Sequence, residues 1–177
     1  MDRQWLEERL SAFPLYAYAF ITTDELVFED RVRAICEREC PMYNTTWACP
    51  PAVGSVEECR ERILSFTQGL IIATIAEVGD IADIAGASPS REGHEQITRQ
   101  ILQMVRERAD ETLALSAEAC AHCKACTYPD APCRFPERML PCVESHGILA
   151  TALAEKCGID FLAGANLIVW FSLILYK

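Results

Sequence analysis

A chain of 177 residues, 51% apolar and 24% charged, has the size and composition of one folded globular domain and excludes a disordered polymer. Its 16 Lys and Arg against 26 Asp and Glu leave a formal charge of -10, which repels a nucleic-acid duplex or an anionic membrane surface and suits a basic protein partner. Ten cysteines is far above ordinary usage, so thiol chemistry is the first thing to explain.

The opening stretch, MDRQWLEERL, is charged and amphipathic, with Leu6, Leu10 and Phe13 spaced as on one helix face. It lacks the apolar core of a signal peptide. PLYAYAFIT (14–22) is rich in β-favouring residues and predicts a strand. EDRVRAICEREC (29–40) has helical character and breaks at Pro41. GSVEECRERILSF (54–66) begins with a capping serine and first-turn acids, which predicts a helix. GLIIATIAEV (69–78) is a short apolar run suited to a strand buried on both faces. The longest helix is expected within 88–115, starting near Ser88-Pro89, with Ile97, Ile101, Met104, Val105 and Leu113 in helical phase. A further helix is expected within Ser145–Cys157, ending before Gly158. NLIVWFSLILY (166–176) predicts a last buried strand. The longest uncharged run, Phe161 to Tyr176, is shorter than the roughly 20 apolar residues that span a bilayer. No membrane segment is expected. The compartment expected is a reducing cytoplasm, where structural disulfides are rare.

Strands and helices alternate, which predicts an α/β or α+β fold over 1–177, with a central sheet covered by helices. Two cysteine-rich loops, at about 36–59 and 120–136, interrupt it. Loops of that length need something to order them, and bound metal would supply it.

In CAHCKACTYPDAPC, Cys120, Cys123 and Cys126 fall at three-residue intervals and Cys133 follows after six more residues. A CxxCxxC run wraps a cubane cluster, with successive thiolates turned inward to different irons. Zinc more often takes two separated pairs. TYPDAP gives Cys133 enough chain to loop back and complete the same cluster. His122 reads as a solvated neighbour, and Arg134 as a donor to cluster sulfurs or a solvent-facing side chain.

In the first group, Cys36 and Cys40 are one helical turn apart, Cys49 follows after eight residues and Cys59 after nine. Pro41, Pro50 and Pro51 abut these cysteines and stiffen the loop, and Tyr43 and Trp47 are placed to shield a cluster or to serve as core aromatics. A second [4Fe-4S] cluster on Cys36, Cys40, Cys49 and Cys59 is expected, with zinc as the alternative. Cys59 falls inside a predicted helix. Without it, one iron would be open. Cys142 and Cys157 read as buried apolar thiols, with Cys142, nine residues after Cys133, the best substitute ligand.

CPPAVG, with Cys36 and Cys40 before WACPP, and CxxCxxCTYPDAPCRFPE some seventy residues on, resemble the DUF2284 family of predicted metal-binding proteins, over nearly the whole chain. The resemblance implies metal, iron–sulfur above all, in an anaerobic cytoplasmic setting, and by weak analogy redox supply to corrinoid or related one-carbon enzymes. Cys142 stands where the family pattern leads one to expect a small polar residue. The leading functional expectation is an electron-transfer protein with two [4Fe-4S] clusters, serving a redox enzyme with a basic docking face. The alternatives are a zinc protein or metallochaperone, or an enzyme with an open iron at Cys36, Cys40 and Cys49. No Ser-His-Asp order, GxGxxG or P-loop points to another reaction, and GASPSREGHEQ (86–96), with His94, reads as the loop into a helix.

Overall fold

The structure, a computed structural model, describes residues 2–80 and 84–177, so that Met1 of the amphipathic opening stretch lies outside it. Helix α1 (Arg3–Leu10) is capped by the Asp2 side chain, which accepts from the Gln4 N–H, and it buries Leu6 and Leu10 as their spacing predicts. Strand β1 (Ala17–Thr22), helices α2 (Asp30–Glu39) and α3 (Val56–Leu64), and strand β2 (Gln68–Glu77) follow where the sequence places them. The α3 start is a full capping box. Ser55 Oγ accepts from the Glu58 N–H at 3.1 Å, and the Glu58 carboxylate accepts from the Ser55 N–H at 2.8 Å. These bonds hold the Glu58 carboxyl below its ordinary range. Gly54, just before the cap, has φ +97, a conformation that favours glycine.

Helix α4 (Ile84–Arg106) departs from expectation at both ends. It starts before Ser88, so that Pro89 and the 86–96 stretch lie inside it and not in a loop leading to it. It stops before Leu113, which belongs instead to a fourth strand, β3 (Thr112–Leu115). Asp110 and Glu111 divide the two, with both N–H groups donating to the Lys177 carbonyl. The helix expected over Ser145–Cys157 is divided: a 3-10 turn at Glu144–His146, then α5 (Ala150–Lys156). Gly147, at φ +75, separates them. The last strand is β4 (Leu167–Tyr176).

The sheet order is β1-β2-β4-β3 with every neighbour antiparallel, an α+β arrangement. Side chains alternate across it. Ile71, Ala73, Phe171, Leu173 and Leu175 pack on one face with Ile63 of α3 and Leu153 and Ala154 of α5. Leu70, Ile72, Ile174 and Tyr176 pack on the other with Leu6 and Leu10 of α1 and Ile101, Leu102 and Val105 of α4. Helices on both faces explain why β2 and β4 read as continuous apolar runs. Each fully buried Leu or Ile contributes about 1.5–3 kcal/mol.

A polar strip crosses the α4 side of this core. His94 is 1% exposed, with Nδ1 2.9 Å from Thr74 Oγ1 and Nε2 2.7 Å from Ser172 Oγ. Ser172 in turn bonds Ser116 at 2.9 Å, and Thr98 lies 3.0 Å from Ser172. Burial pushes the His94 imidazole down from 6.5 to about 4. The unfolded chain therefore binds more protons than the folded one between these values. The stabilisation is complete above about pH 6.5 and is lost as pH falls toward 4. The loss expected from this residue is roughly 3 kcal/mol. Urea titrations across that window should show a smaller pH dependence in His94→Gln than in the natural chain, and equal slopes would refute the assignment.

Candidate metal centre

Apart from Cys59, which lies in α3, the expected site residues sit at the end of α2, in the turn region after it, and in the long segment between β3 and Glu144. Cys36 lies on α2 and Cys40 is its C-cap, so both project from one helix face, one turn apart. Cys49 is buried in the turn region that follows. Cys120, Cys123 and Cys126 lie in irregular chain beyond β3, and Cys133 lies after the TYPDAP stretch.

Two cavities gather these thiols. The smaller, of about 200 Å³, is lined by Cys120, Cys123, Cys126 and Cys133, with Trp47 and Phe135 beside them. The larger, of about 510 Å³, is lined by Cys36, Cys40, Cys49 and Cys142, with Tyr43 and the Arg91–Glu118 pair. Met42, Cys120 and Cys123 line both cavities, so the two share a wall. Among the described residues no three His, Cys, Asp or Glu side chains gather tightly enough to hold a single ion. The thiols instead ring spaces of several atoms' width.

The two cysteine segments are tied to each other. Trp47 Nε1 donates to the Ala131 carbonyl at 2.9 Å, and Tyr128 Oη donates to Asn44 Oδ1 at 2.7 Å. The Trp47 and Tyr128 rings meet edge to face, centroids 5.0 Å apart. Residues 84 positions apart in the chain thereby close one structure. Within the second segment, the Thr127 hydroxyl donates to the Pro132 carbonyl at 2.8 Å, and the Arg134 guanidinium donates to the Ala125 carbonyl. Arg134 therefore braces the loop. His122 packs edge to face on Phe135, centroids 5.1 Å apart, and is half-buried where solvation was expected.

Cys59 is not brought to either cavity. It is 0% exposed within α3, where its Sγ donates to the Val53 carbonyl at 3.4 Å and accepts from Arg33 Nη2 at 3.6 Å. Arg33, itself 6% exposed, donates twice to the Gly54 carbonyl, both at 3.0 Å. Cys142, the substitute ligand suggested by its place nine residues after Cys133, does reach the larger cavity, where it joins Cys36, Cys40 and Cys49. Cys157 is the C-cap of α5 and packs against the α3–α5 face of the core, and it lines neither cavity.

The surroundings of these thiols disfavour free thiolates. Burial pushes the Cys36 thiol up to about 11, with Cys40 and Glu144 adding to the rise. Burial is also the main reason the Cys49 thiol is raised. A thiol held protonated at neutral pH gives up its proton to a bound metal ion, which supplies the positive charge the site lacks.

The chain matches a family model over residues 19–176, from within β1 to the end of β4 and including every cysteine. That family is DUF2284, described as predicted metal-binding protein. No curated protein and no solved structure matches. Among the described residues, no helix is long and apolar enough to cross a membrane.

Proposed function

The chain belongs to the DUF2284 family of predicted metal-binding proteins, and from that premise we propose that it carries two [4Fe-4S] clusters and transfers electrons to a partner redox enzyme. The observation that carries this reading is the pair of thiol-lined cavities joined by a common wall. Cys120, Cys123, Cys126 and Cys133 ring one of them, and Cys36, Cys40 and Cys49 line the other. A zinc ion needs its sulfurs about 2.3 Å from one centre, whereas thiolates of a cubane bind different irons and stand apart around it. Thiols spread around a cavity of about 200 Å³ suit the second arrangement.

When bound, such clusters supply one-electron redox centres whose potential follows their surroundings. The chain's own residues do the rest. Trp47 and Phe135 wall the smaller cavity, and Tyr43 and Pro50 the larger. Apolar and aromatic walls of this kind reduce water at a cluster, and that shifts its potential. The formal charge of -10 steers a partner with a basic docking face. One-carbon or corrinoid redox enzymes enter as the partner class by weak analogy from the family resemblance alone.

Protein isolated without oxygen should be brown, with a broad visible absorption shoulder, and should hold about eight iron and about eight acid-labile sulfide per chain. Colourless protein with stoichiometric zinc would overturn the iron–sulfur reading and leave a zinc protein or metallochaperone.

A further inference from the structure

We propose that Cys142, and not Cys59, supplies the fourth thiolate of the first site, so that Cys36, Cys40, Cys49 and Cys142 form one closed ligand set for a thiophilic cluster; this rests on the reading that the site holds such a group. Cys142 lines the same cavity as the other three.

The fold delivers it there through two backbone pairings. Phe28 and Ile148 form an antiparallel bridge, flanked by Glu29 N–H to Gly147 carbonyl at 2.8 Å and Leu149 N–H to Val27 carbonyl at 2.9 Å. This fixes the start of α2 to the chain just beyond Cys142, and α2 then packs on the 3-10 turn at Glu144–His146. Cys36 and Cys40 lie farther along that same helix. The second pairing is a parallel bridge between Ser116 and Cys142, with Ser116 N–H donating to Pro141 at 2.8 Å and Val143 N–H donating to Ser116 at 3.0 Å. It holds the Cys142 backbone on both sides and aligns it with the segment that leads to Cys120.

The two candidate thiols are held differently. The Cys142 Sγ–H donates to Glu144 Oε2 at 2.6 Å, two residues away and within the same turn. That bond can open without disturbing the sheet. The Cys59 thiol is enclosed between the Val53 carbonyl and Arg33, inside the packing that joins α3 to the Gly54 bend. To reach the cavity it would have to leave α3's buried face and break those contacts. Cys59 is therefore a structural thiol, and its position four residues into α3 reflects packing and not ligation.

The test compares Cys142→Ala with Cys59→Ala, each purified and reconstituted without oxygen beside the natural chain. Iron in Cys142→Ala should fall from about eight to about four per chain, because the site on Cys120, Cys123, Cys126 and Cys133 remains and serves as the internal check on folding. Cys59→Ala should keep about eight and an unchanged visible spectrum. Full iron and an unchanged spectrum in Cys142→Ala overturn the proposal, as does selective loss in Cys59→Ala. If the natural chain takes up no iron, the iron–sulfur reading fails by itself. The ligand set is then decided with Co(II): Cys142→Ala should lose thiolate-to-metal charge-transfer intensity that Cys59→Ala retains, and the reverse pattern overturns it.

Discussion

Cys123→Ala should remove half or more of the bound iron, from about eight to about four or fewer per chain, and it is the single thiol substitution expected to do the most damage. The reason is position. Cys123 is the middle member of the CxxCxxC run, and it stands in the wall common to both cavities. On the proposed ligand set, removing it takes a ligand from the smaller site and opens the wall shared with the larger. Cys126, by contrast, is exposed and lines the smaller cavity alone. The matched control is Cys157→Ala, because Cys157 caps α5 and packs on the α3–α5 face of the core. That variant should keep its full iron and its spectrum. Iron and sulfide assays with the visible spectrum read both outcomes, and a Cys123→Ala protein with unchanged iron would refute the ligand assignment.

Stripping the metal by anaerobic chelation should unfold the two cysteine segments while leaving the sheet intact. Between Leu115 and Pro136 the described chain has no helix or strand, and few of its backbone groups bond one another. Its order depends on the Trp47 and Tyr128 contacts and on whatever the thiols bind. Metal binding to such a segment is folding free energy. Amide exchange over 117–135 and 41–54 should accelerate by two or more orders of magnitude, a local loss of about 3 kcal/mol or more. Amides of β2 and β4, which pair over ten residues each and carry the buried core, should stay protected. Trp47→Ala should give part of the same acceleration with metal still present. Unchanged exchange after complete metal removal would show that the loops are held by protein contacts alone.

What could be read from residue order alone follows the range of the interaction. Capping and helical phase act within four residues, so the Ser55 cap, the α1 face and the Cys36–Cys40 pairing were all legible. The continuous apolar runs at 69–78 and 166–176 were legible as strands because they are buried on both faces. β3 was not, since its four residues are too few to set a period and Leu113 happens to fall in phase with α4. Nothing local could show that Pro89 lies inside α4, because Ser-Pro is also a proper helix start. Strand direction was equally hidden, as apolar runs read alike in parallel and antiparallel sheets once helices cover both faces. The site divides the same way. Cys120, Cys123, Cys126 and Cys133 are close in sequence and line one cavity. The meeting of Cys142 with Cys36 depends on the Phe28–Ile148 and Ser116–Cys142 bridges, which join segments about 120 and 26 residues apart. No spacing rule reaches that far.

The central position of β4 has a consequence for synthesis. A ribosome delivers β1, β2, both cysteine segments and β3 before it delivers the strand that joins β2 to β3. Until Leu167–Tyr176 emerges, β1 and β2 can form only a hairpin-like pair, and neither helical layer has its full surface to cover. Every thiol is therefore outside the tunnel while the scaffold that will enclose it is still open. In that interval the cysteines are accessible to metal donors and to oxidants alike, so the oxidation state of the surroundings during translation governs how much of the product can be loaded.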